Sequence, residues 1–261
     1  MGKHIVLTTL AATAAATTGS AAAALAGDSL TMRNYGNECK IIAAWQTNQT
    51  AGFGQLTWPT AHDTTRGLRV GVPAAATEQI LPMGVQLPID PQETITGTIA
   101  ATAVGGDVEN LSFLSRYNVD KGQRFIDWAE VKRRMQKVTT IESSIVSVAG
   151  PAYGPAGGES IDTDSNLLIA NRDYALLGFS SRTRVHCIAW QGPDTGNERL
   201  GCPGTLRPEI TQQWFKLLSA AHGEALIPVI NSGNRAQTLW FVATDENAGT
   251  FLCTAHLVLL R

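Results

Sequence analysis

Short apolar runs separated by turn-rich stretches recur at fairly regular intervals along most of this chain. That rhythm predicts antiparallel strands of a sandwich or barrel rather than alternating strand–helix units. In the first half, strands are expected at residues 39–45 (CKIIAAW), 52–58, 67–72, 83–89, 94–102 and 111–117. In the second half they are expected at 166–170, 174–179, 185–190, 225–230, 238–243 and 251–260. Pro59, Pro73, Pro82, Pro88 and Pro91 fall at run ends, where a missing N–H does least harm to a sheet.

Two segments carry helical spacing instead. Residues 125–138 place Phe125, Trp128, Met135 and Val138 on one side, interrupted at Lys132. Asp127 and Glu130 lie early and Lys132, Arg133, Arg134 and Lys137 late, as the helix dipole favours. A second helix is expected over 208–222. Pro208 suits its first turn, Gly223 its end, and Ile210, Trp214, Leu217, Leu218 and Ala221 form its apolar stripe. Between the two, residues 150–165 (GPAYGPAGGESIDTDS) read as a long Pro/Gly loop.

The halves echo each other. Arg69-Val70-Gly71-Val72-Pro73 resembles Arg199-Leu200-Gly201-Cys202-Pro203, and the stretch at 94–100 parallels 238–243. The second offset is larger, which the helix over 208–222 explains if it fills a connection that is short in the first half. Six expected strands per half approach the eight of a jelly roll. The expectation is an all-β chain of two consecutive jelly-roll sandwiches. Residues 1–27 would be an Ala/Thr-rich arm, 28–120 the first roll, 121–165 a helix and connecting loop, and 166–261 the second roll.

Composition narrows the function. Charged residues make up only 16% of the chain, against about 25% in ordinary soluble proteins. Such a surface suits a protein buried among its own copies or one that faces carbohydrate. A net charge of −2 gives no basic field for packaging nucleic acid, and sequence-specific nucleic-acid binding is not expected. The basic cluster Lys132-Arg133-Arg134 with Lys137 reads first as a solvated helix end. The six tryptophans sit mostly inside apolar runs and are expected in the core rather than on a sugar-stacking face.

Candidate chemistry is sparse, and no catalytic, cofactor-binding or metal-ligating set is assigned. Cys39, Cys187, Cys202 and Cys253 lack C-x-x-C spacing and read as reduced core thiols. His186 adjoins Cys187, but neighbours on a strand point to opposite faces, so a dyad would need His256 or His62 brought in by folding. His4 and His222 complete the histidines. Asp162, Asp164 and Asn166 open like a calcium loop with Asp173 at the twelfth position. Leu167 replaces the required glycine, and an Asx-rich turn is the preferred reading. The threonine-rich segment 5–27 is expected to be a retained arm rather than a cleaved signal or a membrane span.

Two β-sandwiches, a helix between strands of the second, and an N-terminal arm together resemble the double jelly-roll major capsid proteins of tailless icosahedral bacteriophages that contain a membrane. The resemblance is architectural and covers most of residues 28–261. It implies a non-enzymatic coat subunit, made in the host cytoplasm and resident in the virion. It further implies homotrimers forming pseudo-hexagonal tiles, contacts with other capsid proteins, and residues 1–27 facing inward toward an internal membrane. Loops at 46–55, 151–165 and 191–198 would then face outward or meet neighbouring subunits. The alternatives are a secreted lectin-like sandwich, which would lose residues 1–26, and another virion component such as a spike, a cement protein or a single-jelly-roll coat.

Overall fold

The structure is a computed structural model that describes residues 4–15, 21–23, 31–32, 39–47, 52–61, 67–72, 78–80, 87–101, 108–147, 153–161, 168–183, 185–204, 208–243 and 249–261. Its first half holds β1 (Ile5–Ala15), β2 (Ala21–Ala23), β3 (Cys39–Thr47), β4 (Gly52–Thr57), β5 (Leu68–Val72), β6 (Glu78–Ile80), β7 (Leu87–Ile89), β8 (Thr96–Ala101) and β9 (Val108–Tyr117). The second holds β10 (Phe125–Ile126), α1 (Trp128–Arg134), β11 (Met135–Ser147), β12 (Gly154–Ser160), β13 (Asp173–Ser181), β14 (Cys187–Gln191) and β15 (Leu200–Pro203). After these come α2 (Pro208–Thr211), α3 (Trp214–His222), β16 (Ile227–Asn231), β17 (Leu239–Ala243) and β18 (Gly249–Leu260).

Strand pairing is antiparallel and nested, and it follows the same order twice. In the first half β1 pairs with β9, β2 with β8, β3 with β6 and β7, and β4 with β5. In the second β11 pairs with β18, β12 with β17, β13 with β16, and β14 with β15. Each half is thus a five-stranded sheet with a four-stranded one, β1-β9-β3-β6 (β7 also on β3) with β2-β8-β4-β5, then β10-β16-β13-β18-β11 with β12-β17-β14-β15. The chain is an all-β sandwich protein with a few short helices. None of the described helices is long and apolar enough to cross a membrane.

The sequence echoes land on strands of equal rank. Residues 69–73 and 199–203 fall on and beside β5 and β15, and the later pair on and beside β8 and β17. The helices α2 and α3 occupy the β15–β16 connection. Its first-half counterpart, between Val72 and Glu78, is far shorter, and the difference contributes to the changed offset.

Several local expectations need correction. Ile5–Ala15 is no arm; it pairs with β9 along its length, because its Ile, Val and Thr residues favour a pleated strand. The helix expected over 125–138 stops at Arg134, and Met135 turns into β11. Asp127 does cap it, accepting from the Glu130 N–H at 2.7 Å. Beyond it the β-branched run alternates, with Ile141, Ser143 and Ile145 inward and Val138, Thr140, Glu142, Ser144 and Val146 outward. Met135 and Val138, placed on the helix's apolar stripe, are exposed instead. The expected loop at 150–165 contains β12, bulged against β17 between Gly154 and Glu159. Residues 168–170 make a turn rather than a strand, with Asn171 at φ 52°. The helix at 208–222 is broken at Gln212–Gln213 into α2 and α3.

Burial explains why the run in β3 is nearly continuous rather than alternating, and why β9 carries apolar residues at both parities. Ile41, Ala44, Leu111 and Phe113 point into the first core, while Ile42, Trp45 and Leu114 pack into the core of the second half. A sheet covered on both faces needs apolar residues at both parities. β18 is likewise buried through most of its length. The helices α2 and α3 pack on neighbouring β13, and α1 packs on β18.

Candidate functional site

The residues weighed for chemistry are scattered. All four cysteines are buried and unbridged. Burial pushes the Cys39 and Cys253 thiols up to about 12, which removes the thiolate a nucleophile needs. His256 meets Ser180 Oγ at 2.8 Å rather than a cysteine. His62, Asp162, Asp164 and Asn166 lie outside the described residues. Asp173, the calcium loop's twelfth position, is already engaged. Arg124 grips both its oxygens at 2.9 and 3.0 Å, and Asn231 donates to one of them at 2.9 Å. Burial raises the Asp173 carboxyl, but these donors outweigh it and hold the group below the usual carboxylate range.

In the basic cluster, Glu130 pairs with Arg133 and Arg134, and Arg134 also donates to the Arg261 carbonyl. Lys132 and Lys137 are exposed. Trp45, Trp190, Trp214 and Trp240 are fully buried and Trp58 nearly so. Trp128 is half-buried beneath the Lys216 ammonium at 4.7 Å. The tryptophans serve the core, as their apolar surroundings predicted.

What folding does assemble is a polar seam between the two sandwiches. β1 is an edge strand, and its backbone is completed by the second half. The Gln123 carboxamide accepts from Val6 N–H at 2.8 Å and donates to Val6 C=O at 2.8 Å, copying a neighbouring strand. Its NH2 group also donates to Thr195 C=O at 2.7 Å. Thr8 N–H donates to Arg199 C=O at 2.8 Å, and the Thr8 hydroxyl accepts from Gly201 N–H at 2.8 Å. Covering an edge in this way removes a template for aggregation.

Farther along the seam, Ser112 Oγ and His186 Nε2 lie 2.7 Å apart, both fully buried. A serine–histidine pair at that distance is a nucleophile arrangement in an open cleft. Sealed here, it joins β9 to the segment before β14. Trp45 Nε1 donates to His186 C=O at 3.1 Å and packs edge-on against Trp214, with centroids 5.9 Å apart. His222 Nε2 meets Ile42 C=O at 3.0 Å, and Arg116 pairs with Glu224 at 3.0 Å. Sequence reading missed this seam; the available signal was Ser112 set between Leu111 and Phe113, a polar residue that folding buries completely. Replacing Gln123 with Leu leaves the Val6 backbone groups and Thr195 C=O buried without that partner. Urea unfolding is expected to show a loss of about 2–4 kcal/mol.

The opposite edge of the second half is different. β11 ends its sheet, paired only with β18 among the described strands. Its outward face exposes Val138 at 60% and Val146 at 54%, flanking Glu142, which accepts from Thr254 and pairs with Arg182. A long strand edge with exposed β-branched side chains is suited to contact with another chain.

No family model and no curated protein matches the chain. Among solved structures, the crystal structure of PBSX exported protein XepA aligns over 97% of this chain and 86% of its own, at 10% identity and TM-score 0.28. The cryo-EM structure of a T=1 Penaeus vannamei nodavirus aligns over 99% and 98%, at 8% identity and TM-score 0.20. At such scores neither likeness bears on fold or function, which rest on the chain's own pairing and packing.

Proposed function

We propose that each half is a jelly roll and that the chain is a structural, non-enzymatic virion protein, a coat subunit that assembles with its own copies. The observation that carries this reading is the doubled, nested strand order. Rolling up a ribbon whose first strand pairs with its last, its second with its next-to-last, and so inward produces a jelly roll. Both halves have that pairing once β6 and β7 are taken as one interrupted strand.

Two rolls joined by a buried seam would act as one building block. A low charged fraction and the exposed valines of β11 suit repeated contacts between copies. Three such blocks, carrying six rolls, would form a pseudo-hexagonal tile, with other virion proteins at its borders. Membrane contact through residues 1–27 is not part of the proposal, since Ile5–Ala15 is committed to the sheet. Light scattering on the purified chain tests it. A particle near three times 27.8 kDa, about 83 kDa, or a larger shell is expected. A protein that stays monomeric at all accessible concentrations overturns it.

A further inference from the structure

Three of the five histidines, His4, His186 and His222, lie in the seam between the sandwiches, and they differ in what a second proton would do. His186 Nε2 faces a serine hydroxyl, which accepts a proton-bearing nitrogen as readily as it donates to a bare one. His222 Nε2 faces the Ile42 carbonyl and is already a donor. His4 is the exception. Only 3% exposed, its ring stacks on Phe125 at 4.6 Å, and its Nε2 has no hydrogen-bond partner among the described residues. The charged groups facing it are the Arg116 guanidinium from β9 and the Glu224 carboxylate from the turn after α3, with the Ala225 backbone hydrogen-bonded to the ring.

We propose that His4 is an acid-sensitive catch. Its neutral ring closes the seam between the two sandwiches, and protonation in mild acid releases β1 from the second half. The second proton, on Nε2, would be stranded without an acceptor, against an apolar ring and on an imidazolium beside the Arg116 cation. Opening lets water solvate it. Burial, and then Arg116, lower the His4 pKa to about 4, with Glu224 and the Ala225 backbone opposing. Since the folded value is depressed, the stabilisation is full above about 6.5 and is lost as pH falls toward 4. With an ordinary histidine value in the open state, the opening equilibrium rises about thirty-fold between pH 7.5 and pH 5.

Hydrogen exchange on the full-length protein, corrected for the intrinsic pH dependence of exchange, tests this. Protection of the Val6 and Thr8 amides, which bond to Gln123 and Arg199, should fall about thirty-fold by pH 5 while that of Leu257 and Val258 holds. His4→Phe keeps a stacking ring without a titrating group, so its protection should stay flat over the same range. Wild-type protection that does not change, or a His4→Phe variant that loses protection as the wild type does, overturns the proposal. If that variant does not fold, NMR titration of the wild-type His4 ring decides. Titration well below the usual histidine range, in step with loss of Val6 protection, upholds it; titration near 6.5 with the seam intact refutes it.

Discussion

Deleting residues 2–15 is expected to abolish folding of the first sandwich, so that the truncated chain precipitates or loses its cooperative unfolding transition. An arm could be removed with little change in melting temperature. This segment is β1, paired with β9 from Ile5↔Tyr117 to Ala15↔Val108. His4, Ile5, Val6 and Thr8 are each buried to within a few per cent of completely. Burial of Ile5 and Val6 alone contributes about 1.5–3 kcal/mol each. Deletion also strips one side of β9, opens the apolar face of its sheet, and removes the partners of Gln123, Arg199 and Gly201 at the seam. Those losses together rival the whole stability of a domain, on the order of 5–15 kcal/mol. Circular dichroism and thermal unfolding of the truncated chain check this; an unchanged transition would show that β1 is dispensable.

Gly178→Val is expected to cost at least about 3 kcal/mol, and Gly178→Ala not much less, through overpacking. Gly178 sits at the register shift of β13 against β18, directly under the break between α2 and α3. A Cβ there would run into the Thr211 carbonyl, and would lie 2.9 Å from Trp214 N and 3.0 Å from the Gln212 carbonyl carbon. All three are backbone atoms held by the helices, so no side chain can swing aside. A glycine at a bulge where another backbone approaches closely is a common use of the residue in strands. Gly157→Ala is the control. Nothing lies within 4 Å of its Cβ position, and its effect should stay within about 0.5 kcal/mol. Urea denaturation of the three variants measures the contrast, and similar costs at positions 157 and 178 would sink the packing account.

The sequence by itself determined the strand-rich class and placed the strands whose burial is locally written. β3, β13 and β18 carry apolar runs at 41–45, 174–179 and 257–260, and proline and glycine mark their neighbours' ends, so their places in the chain could be read directly. The repeated Arg-x-Gly-x-Pro segment also identified β5 and β15 as equivalents, because strands of equal rank meet the same packing demand in each half. Tertiary structure alone decided the rest. Ile5–Ala15 starts with Ile and Val but runs on in Ala and Thr, and Met135–Ser147 alternates only after a start that also fits a helix; β9 and β18 offer the ladders that make each a strand along its whole length. Helical stripe logic carried α1 too far, since Met135 and Val138 fit a helix face as well as they fit an exposed strand. The seam lies further still from local pattern. Gln123 meets Val6 across 117 positions and His186 meets Ser112 across 74, and each is an ordinary polar residue until folding removes the water around it. Burial turns those residues into the joint between the sandwiches, and burial is a property of the assembled fold rather than of any stretch of chain.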